Sequence, residues 1–277
     1  MIKLQNLSAG YSQRKPVLQG LTTALHPGRI YGLLGANGSG KTTLLKTLSG
    51  CISSLAGEIS VLGHNPILRE KCLLADIAYM PDEIVMPAIS AKAFEQAYAP
   101  FWPQFSSEKL HDFLNRFECD TTTRLNRLSL GNRKKFFLSF ILACNTRLLL
   151  LDEPTNGLDI LGKRVFRQIL ASEINEERTV VVSTHLISDL ENLLSDVIII
   201  KDNRMAINAT IDNVAERLEF GSINDIANPI YKEGLSAIGI NEGEPTGVDL
   251  EMLYLALHDS SANQQIIDLV SGKEELC

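Results

Sequence analysis

The chain has 277 residues, 45% of them hydrophobic, and a formal net charge of −7 at pH 7. This length and apolar content support a large core without disulfide or metal staples, and the acidic balance argues against nucleic acid as a partner. The five cysteines, Cys51, Cys72, Cys119, Cys144 and Cys277, show no paired spacing and fall mostly in apolar surroundings, so they read as free thiols of a reducing compartment.

Met1–Leu7 and Val17–Leu25 carry strand patterns around a loop at Gly10-Tyr11, and Pro27-Gly28 marks a turn before the apolar run Ile30–Leu34. No basic segment followed by an apolar one opens the chain, so no signal peptide is expected. Gly35-Ala36-Asn37-Gly38-Ser39-Gly40-Lys41-Thr42-Thr43 follows the run and leads into a helix over Thr42–Ser49. Strand patterns recur at Gly57–Val61 and at Ile77–Met80, just before Pro81. From about Ser90 to Arg127 helical spacing takes over, in Ala91–Tyr98 and Ser107–Phe117, which predicts an inserted helical subdomain. A helix from Ser129 leads to the strand Leu148–Leu151; its Arg133-Lys134-Lys135 triplet reads as a solvated face, with a specific anion site as the alternative. A helix around Lys163–Glu173, the strand Thr179–Ser183, a helix around Ile187–Leu194 and the strand Val197–Lys201 complete an α/β alternation. Continuous apolar runs such as LLLL and VIII fit parallel strands buried on both faces. The pattern thins beyond Asn208, and Gly221–Gly247 is rich in Gly, Asn, Pro and acidic residues before a last apolar segment, Leu250–Leu257. The longest apolar runs are well short of the ~20 residues that span a bilayer, so the chain alone is expected to be soluble and cytosolic.

The glycine loop matches the phosphate-binding pattern Gly35-x4-Gly40-Lys41-Thr42 in full. Its glycines let successive N–H groups point at phosphate oxygens, and the next helix adds its N-terminal dipole. Lys41 would neutralise the β and γ phosphates and the Thr42 hydroxyl would ligate Mg²⁺. Asp152 and Glu153 end the LLLL strand, where a parallel sheet faces its ligand crevice, so Asp152 can reach the Mg²⁺ shell and Glu153 can polarise a water. Together these elements specify a nucleoside triphosphatase and leave kinases, GTPases and transport ATPases open.

The order of the remaining motifs, Leu128-Ser129-Leu130-Gly131-Asn132, Asn156-Gly157-Leu158-Asp159 and Thr184-His185, resembles the ATP-binding cassette (ABC) ATPases over residues 1–218. The resemblance implies a P-loop α/β fold with an N-terminal antiparallel β subdomain, a central mostly parallel sheet flanked by helices, and a helical subdomain inserted at about 88–145. Residues 219–277 would form a C-terminal appendage. It further implies a head-to-tail dimer in which ATP sits between the phosphate loop of one copy and Ser129 and Gly131 of the other. Glu153 would be the catalytic carboxylate, His185 the switch residue near the γ-phosphate, Asp159 the D-loop residue and Tyr11 the ring that stacks on adenine. The partner would be an integral membrane permease that this chain lacks, with the protein peripheral on the cytoplasmic face of the membrane. The tail Asp249–Leu257 resembles the closing helix of ATPases that serve ABC-2-type exporters, as does the aromatic segment Tyr98–Phe105.

Two departures stand out. The family pattern Tyr-x-Pro-Gln appears here as Tyr79-Met80-Pro81-Asp82, where Asp82 keeps oxygen donors for Mg²⁺ but adds charge and loses the amide. The LSGGQ pattern appears as LSLGN, keeping Ser129 and Gly131. A nucleotide-dependent regulatory subunit with weak or no turnover is therefore the alternative to a transport ATPase.

Overall fold

The computed structural model describes residues 1–185 and 189–270. Strands β1 (Ile2–Ala9) and β2 (Leu18–Leu25) pair antiparallel, with Ile2 opposite Leu25. Strand β3 (Ile30–Gly35) is buried along its whole length and runs through the glycine loop into helix α1 (Lys41–Leu48). Strand β4 (Ser54–Val61) then returns to the free edge of β1 and completes a three-stranded antiparallel sheet, β2-β1-β4. Near-alternation in β1 fits a sheet with one face on the core: Ile2, Leu4, Leu7 and Ala9 are buried, while Lys3 and Gln5 are exposed.

After helix α2 (Lys71–Ala75), strand β5 (Ile77–Met80) joins a second sheet. Helices α3 (Ala91–Tyr98), α4 (Ser107–Arg116) and α5 (Leu130–Ala143) follow before strand β6 (Leu148–Asp152), which pairs parallel with β5. Everything between these two neighbouring strands is thus an excursion from the sheet. Ser90, Ser106 and Ser129 cap the three helices, each accepting a hydrogen bond from the backbone N–H three residues on, which explains where the helices start. Phe94, Trp102 and Phe105 surround Phe140 of α5 with ring centroids 5.0, 5.9 and 5.1 Å away. The Trp102 indole also donates to the Ile77 carbonyl at 3.0 Å and so fastens the helical subdomain to β5.

Helix α6 (Ile160–Glu173), strand β7 (Thr179–Ser183), strand β8 (Asp196–Lys201) and strand β9 (Arg204–Thr210) complete a six-stranded sheet of order β5-β6-β7-β3-β8-β9. Only β9 runs antiparallel. The continuous apolar strands serve two cores. Leu149, Leu151, Val180 and Val182 face the core shared with α5 and α6, while Leu148, Leu150, Val181 and Ile198 face the one shared with α1 and β1. Of the helix expected around Ile187–Leu194, residues 187 and 188 lie outside the described residues, and the rest has 3₁₀ geometry at Asp189 and at Glu191–Leu193.

The C-terminal part is more ordered than its composition suggests. Helix α7 (Ile211–Arg217) leads to strands β10 (Leu218–Ser222), β11 (Tyr231–Glu233) and β12 (Ser236–Ile240), which form a third sheet of order β10-β12-β11. Helix α8 (Leu250–Ala256), within the expected Leu250–Leu257, and helix α9 (Asn263–Val270) follow. Leu253 and Ile266 belong to the same core as α5 and β6, and the Lys201 ammonium donates to the Leu257 carbonyl at 2.5 Å. Cys51 and Cys72 are exposed rather than set among apolar neighbours, Cys119 is half-buried and Cys144 is buried; Cys277 lies outside the described residues.

Burial pushes the Cys144 thiol well above its ordinary range and that of Cys119 up to about 11. Site-resolved alkylation of the native protein at pH 8 is therefore expected to label Cys51 and Cys72 within minutes and Cys144 only after denaturation. Leu150 is fully buried, so Leu150→Ala is expected to cost about 2–5 kcal/mol in urea unfolding.

Candidate nucleotide site

The sheet order explains how distant motifs meet. Strand β7 lies between β3 and β6, so the glycine loop, the Asp152-Glu153 pair and the Ser183–His185 segment leave the same carboxyl edge side by side. Gly40, with φ +111°, caps α1 in the left-handed region; a Cβ there would also come within 2.5 Å of Leu18 Cδ2. At Gly35 a Cβ would meet the Ile200 carbonyl oxygen at 2.8 Å. No side chain caps α1 and no acidic residue occupies its first turn, which leaves its first N–H groups to an anion. Ala36, Asn37 and Gly38 form the open tip of the loop. Ser39 Oγ is buried without a partner, as an anion-binding cradle allows. Thr43 is buried in the first turn of α1.

Lys41 is buried, and its ammonium donates to the carbonyls of Gly35 at 2.6 Å and Ala36 at 3.2 Å. Burial lowers its pKa, an effect partly offset by the charges of Glu153 and Asp152. The Thr42 hydroxyl donates to Asp152 Oδ2 at 2.7 Å, and the Ser183 hydroxyl donates to Asp152 Oδ1 at 2.5 Å. Two hard oxygens at that spacing approach the ~2.9 Å between neighbouring ligands of an octahedral Mg²⁺, so Thr42 and Asp152 fit the metal.

Glu153 departs from ordinary backbone geometry, with φ +47°, an uncommon conformation for a residue with a Cβ. Its N–H donates to the Ser183 carbonyl at 3.1 Å, and its carboxylate Oε2 lies 2.8 Å from His185 Nδ1. Its backbone carbonyl accepts from the Lys134 ammonium at 2.7 Å and from Asn156 N–H at 3.2 Å. Lys134 also reaches Asp82 Oδ1 at 3.1 Å. The basic triplet is thus no solvated face: the Lys134 side chain is 2% exposed, and Arg133 donates to the Leu128 carbonyl.

The other expected residues stand apart from this cluster or have local duties. Ser129 is exposed at the start of α5, and Gly131 lies close to the Gly157 carbonyl. Asp159 caps α6 by accepting from Gly162 N–H at 2.7 Å. Tyr11 is 64% exposed, with the Lys46 ammonium 5.8 Å from its ring centroid, which leaves its face open for stacking. Sequence reasoning missed Ser183 and Lys134. Ser183 was legible as the polar end of an otherwise apolar strand, whereas nothing in the spacing of Lys134 set it apart from the cations beside it.

A family model described as "ABC transporter" matches residues 18–156, which is 139 of the 277 residues. The chain is 29% identical over 220 residues to the ABC transporter ATP-binding protein YtrB of Bacillus subtilis, covering 78% of this chain and 74% of that protein. It is 28% identical over 221 residues to the lantibiotic transport ATP-binding protein SrtF of Streptococcus pyogenes, covering 79% and 94%. A solved ATP-binding cassette, a dimer in a post-hydrolysis state bound to ADP and Pi, shares the fold with a TM-score of 0.66 at 22% identity, covering 76% of this chain and 98% of that one. With the phosphate loop, the Asp152-Glu153 pair and the LSLGN helix set as described, the chain belongs to the ABC transporter family and carries that family's ATPase unit.

Proposed function

We propose that two copies of this chain bind Mg-ATP head to tail and hydrolyse it to energise a separate integral membrane permease of ABC-2 type, in the export direction. The observation that carries the dimer is an apolar surface beside the signature helix. Leu130 is 58% exposed, Ile160 84% and Leu161 68%, on segments that bracket Gly157 and Asp159. Large apolar side chains grouped in this way mark a surface covered in an assembly. In that assembly Ser129 and the Gly131 amide of one copy would contact the γ-phosphate held by the loop of the other, and Tyr11 would stack on the adenine.

Within one copy, Lys41 and the loop amides would bind the phosphates. Thr42 and Asp152 would hold Mg²⁺, which supplies positive charge against the phosphate oxygens, and Ser183 orients Asp152. Glu153 is the group that would accept a proton from the attacking water, with His185 beside it to hold the carboxylate and meet the γ-phosphate. We assign residues 1–218 to the cassette and 219–277 to the appendage.

A shallow cleft of about 510 Å³ on the helical subdomain, lined by Lys92, Glu95, Trp102 and Phe105, supports a permease-docking role for that side. Phe101, 68% exposed, and Val85, 92% exposed, lie on the same subdomain and on the segment that leads into it. Among the described residues no helix is long and apolar enough to cross a membrane. The ABC-2 assignment rests on the likeness of α8 to the closing helix of that exporter group. A relative named for lantibiotic transport supports a role in transport. The alternative of a weakly hydrolysing regulatory subunit rests on the two departures from the family pattern, Asp82 and LSLGN.

Glu153→Gln is expected to retain ATP binding while steady-state hydrolysis falls by about 10²–10⁴-fold; equal background rates in both proteins would favour the regulatory reading. Sedimentation of Glu153→Gln with ATP should yield a dimer, and Leu161→Glu should return it to monomer. A photo-crosslinking side chain at Val85 is expected to capture an integral membrane protein from native membrane vesicles in an ATP-dependent manner; capture of none would remove the permease assignment.

A further inference from the structure

We infer that Lys134 is a positioning residue that ties the segment after β5 to the hydrolytic carboxylate, and that the Asp82 carboxylate serves this lysine rather than the metal. The inference rests on the reading of Glu153 as the group that activates water.

The Lys134 side chain is 2% exposed although it comes from the LSLGN helix, a short distance from the surface residues Ser129 and Leu130. A buried ammonium is costly unless hydrogen-bond acceptors and a counter-charge surround it. Here the acceptors are the Glu153 carbonyl at 2.7 Å and Asp82 Oδ1 at 3.1 Å, and Asp82 supplies the counter-charge. An amide at position 82, as in the family pattern, would offer Lys134 only a dipole. The carboxylate at 82 and the cation 52 residues later in the chain therefore form a matched pair, and the negative charge that Asp82 would bring towards phosphates is already compensated.

What the pair holds is the least relaxed part of the site. Glu153 keeps a left-handed backbone because its neighbours fix it on several sides: the Ser183 carbonyl takes its N–H, His185 meets its carboxylate, and Lys134 and Asn156 donate to its carbonyl. Removing one constraint frees the peptide to rotate and carries the carboxylate with it. Asp82 lies at the start of a segment that buries Ile84 and Met86 and exposes Val85 on its way to the helical subdomain. A displacement of that segment is transmitted through two contacts, Asp82 to Lys134 and Lys134 to Glu153.

The test uses the full chain as wild type, Asp82→Asn, Lys134→Met and the double variant, all checked for unchanged far-ultraviolet circular dichroism. Hydrogen exchange read by mass spectrometry over peptides spanning 153–158 is expected to rise several-fold in each single variant, because the bonds to the Glu153 carbonyl loosen. Turnover is expected to fall ~10-fold in each, with affinity for a fluorescent ATP analogue and half-saturation by Mg²⁺ changed less than ~2-fold. The double variant, which leaves neither charge unpaired, should be no worse than either single one. Unchanged exchange in both single variants would overturn the strut, whether or not the protein turns over ATP. A tenfold rise in the Mg²⁺ requirement of Asp82→Asn, irrespective of the residue at 134, would instead make Asp82 a metal ligand. If the wild type itself showed no turnover sensitive to Glu153→Gln, the reading of Glu153 would fail, while the exchange data would still decide the strut.

Discussion

The site depends on one buried carboxylate. Asp152 is 2% exposed and ends a strand whose other residues are all apolar and buried, so its charge has to be answered locally. Thr42 and Ser183 answer it from the start of α1 and the end of β7, one to each oxygen. Because β3 feeds α1 and lies next to β7, which lies next to β6, these two hydrogen bonds join three adjacent strands at their carboxyl ends. The phosphate loop, the Thr42 and Asp152 oxygens and the segment bearing His185 are thereby held in one frame before any nucleotide arrives.

Within the site, the strained backbone lies one residue further on. Leaving the sheet with φ +47°, Glu153 turns its carboxylate towards His185, a geometry that costs free energy in isolation and persists because the surroundings over-determine it. Those surroundings come from different parts of the chain, Ser183 on β7, Asn156 in the following turn and Lys134 on α5. The helical subdomain is therefore no passive insertion. Its longest helix runs from the exposed Ser129 and Leu130 to Phe136 and Phe140 in the main core, and gives up one buried cation to the Glu153 carbonyl.

The two faces of the central sheet divide the labour. One packs on the antiparallel sheet and α1, which sets the phosphate loop against Val17 and Leu18; the other packs on α5, α6 and the C-terminal helices. The C-terminal segment shares this second core through Leu250, Leu253 and Ile266. Its third sheet is built from short strands containing Gly221 and Gly239, where little apolar periodicity can accumulate, and composition alone therefore suggested sparse structure.

The sequence by itself determined the elements of the nucleotide unit and most of its chemistry. Gly35-x4-Gly40-Lys41-Thr42 needs only local backbone freedom and a helix start, and LLLLDE needs only a buried strand that stops, so both were legible from spacing. Tertiary structure alone decided which partners those groups meet. Four consecutive leucines carry no sign of which two face each core, and three consecutive cations carry no sign that the middle one is buried. Those choices are made by packing: the register of β6 against β7 brings Ser183 opposite Asp152, and the seating of α5 against the sheet turns Lys134 inward to Asp82 and Glu153. A charge position in a chain is local information, whereas its burial and its counter-ion depend on segments dozens of residues away.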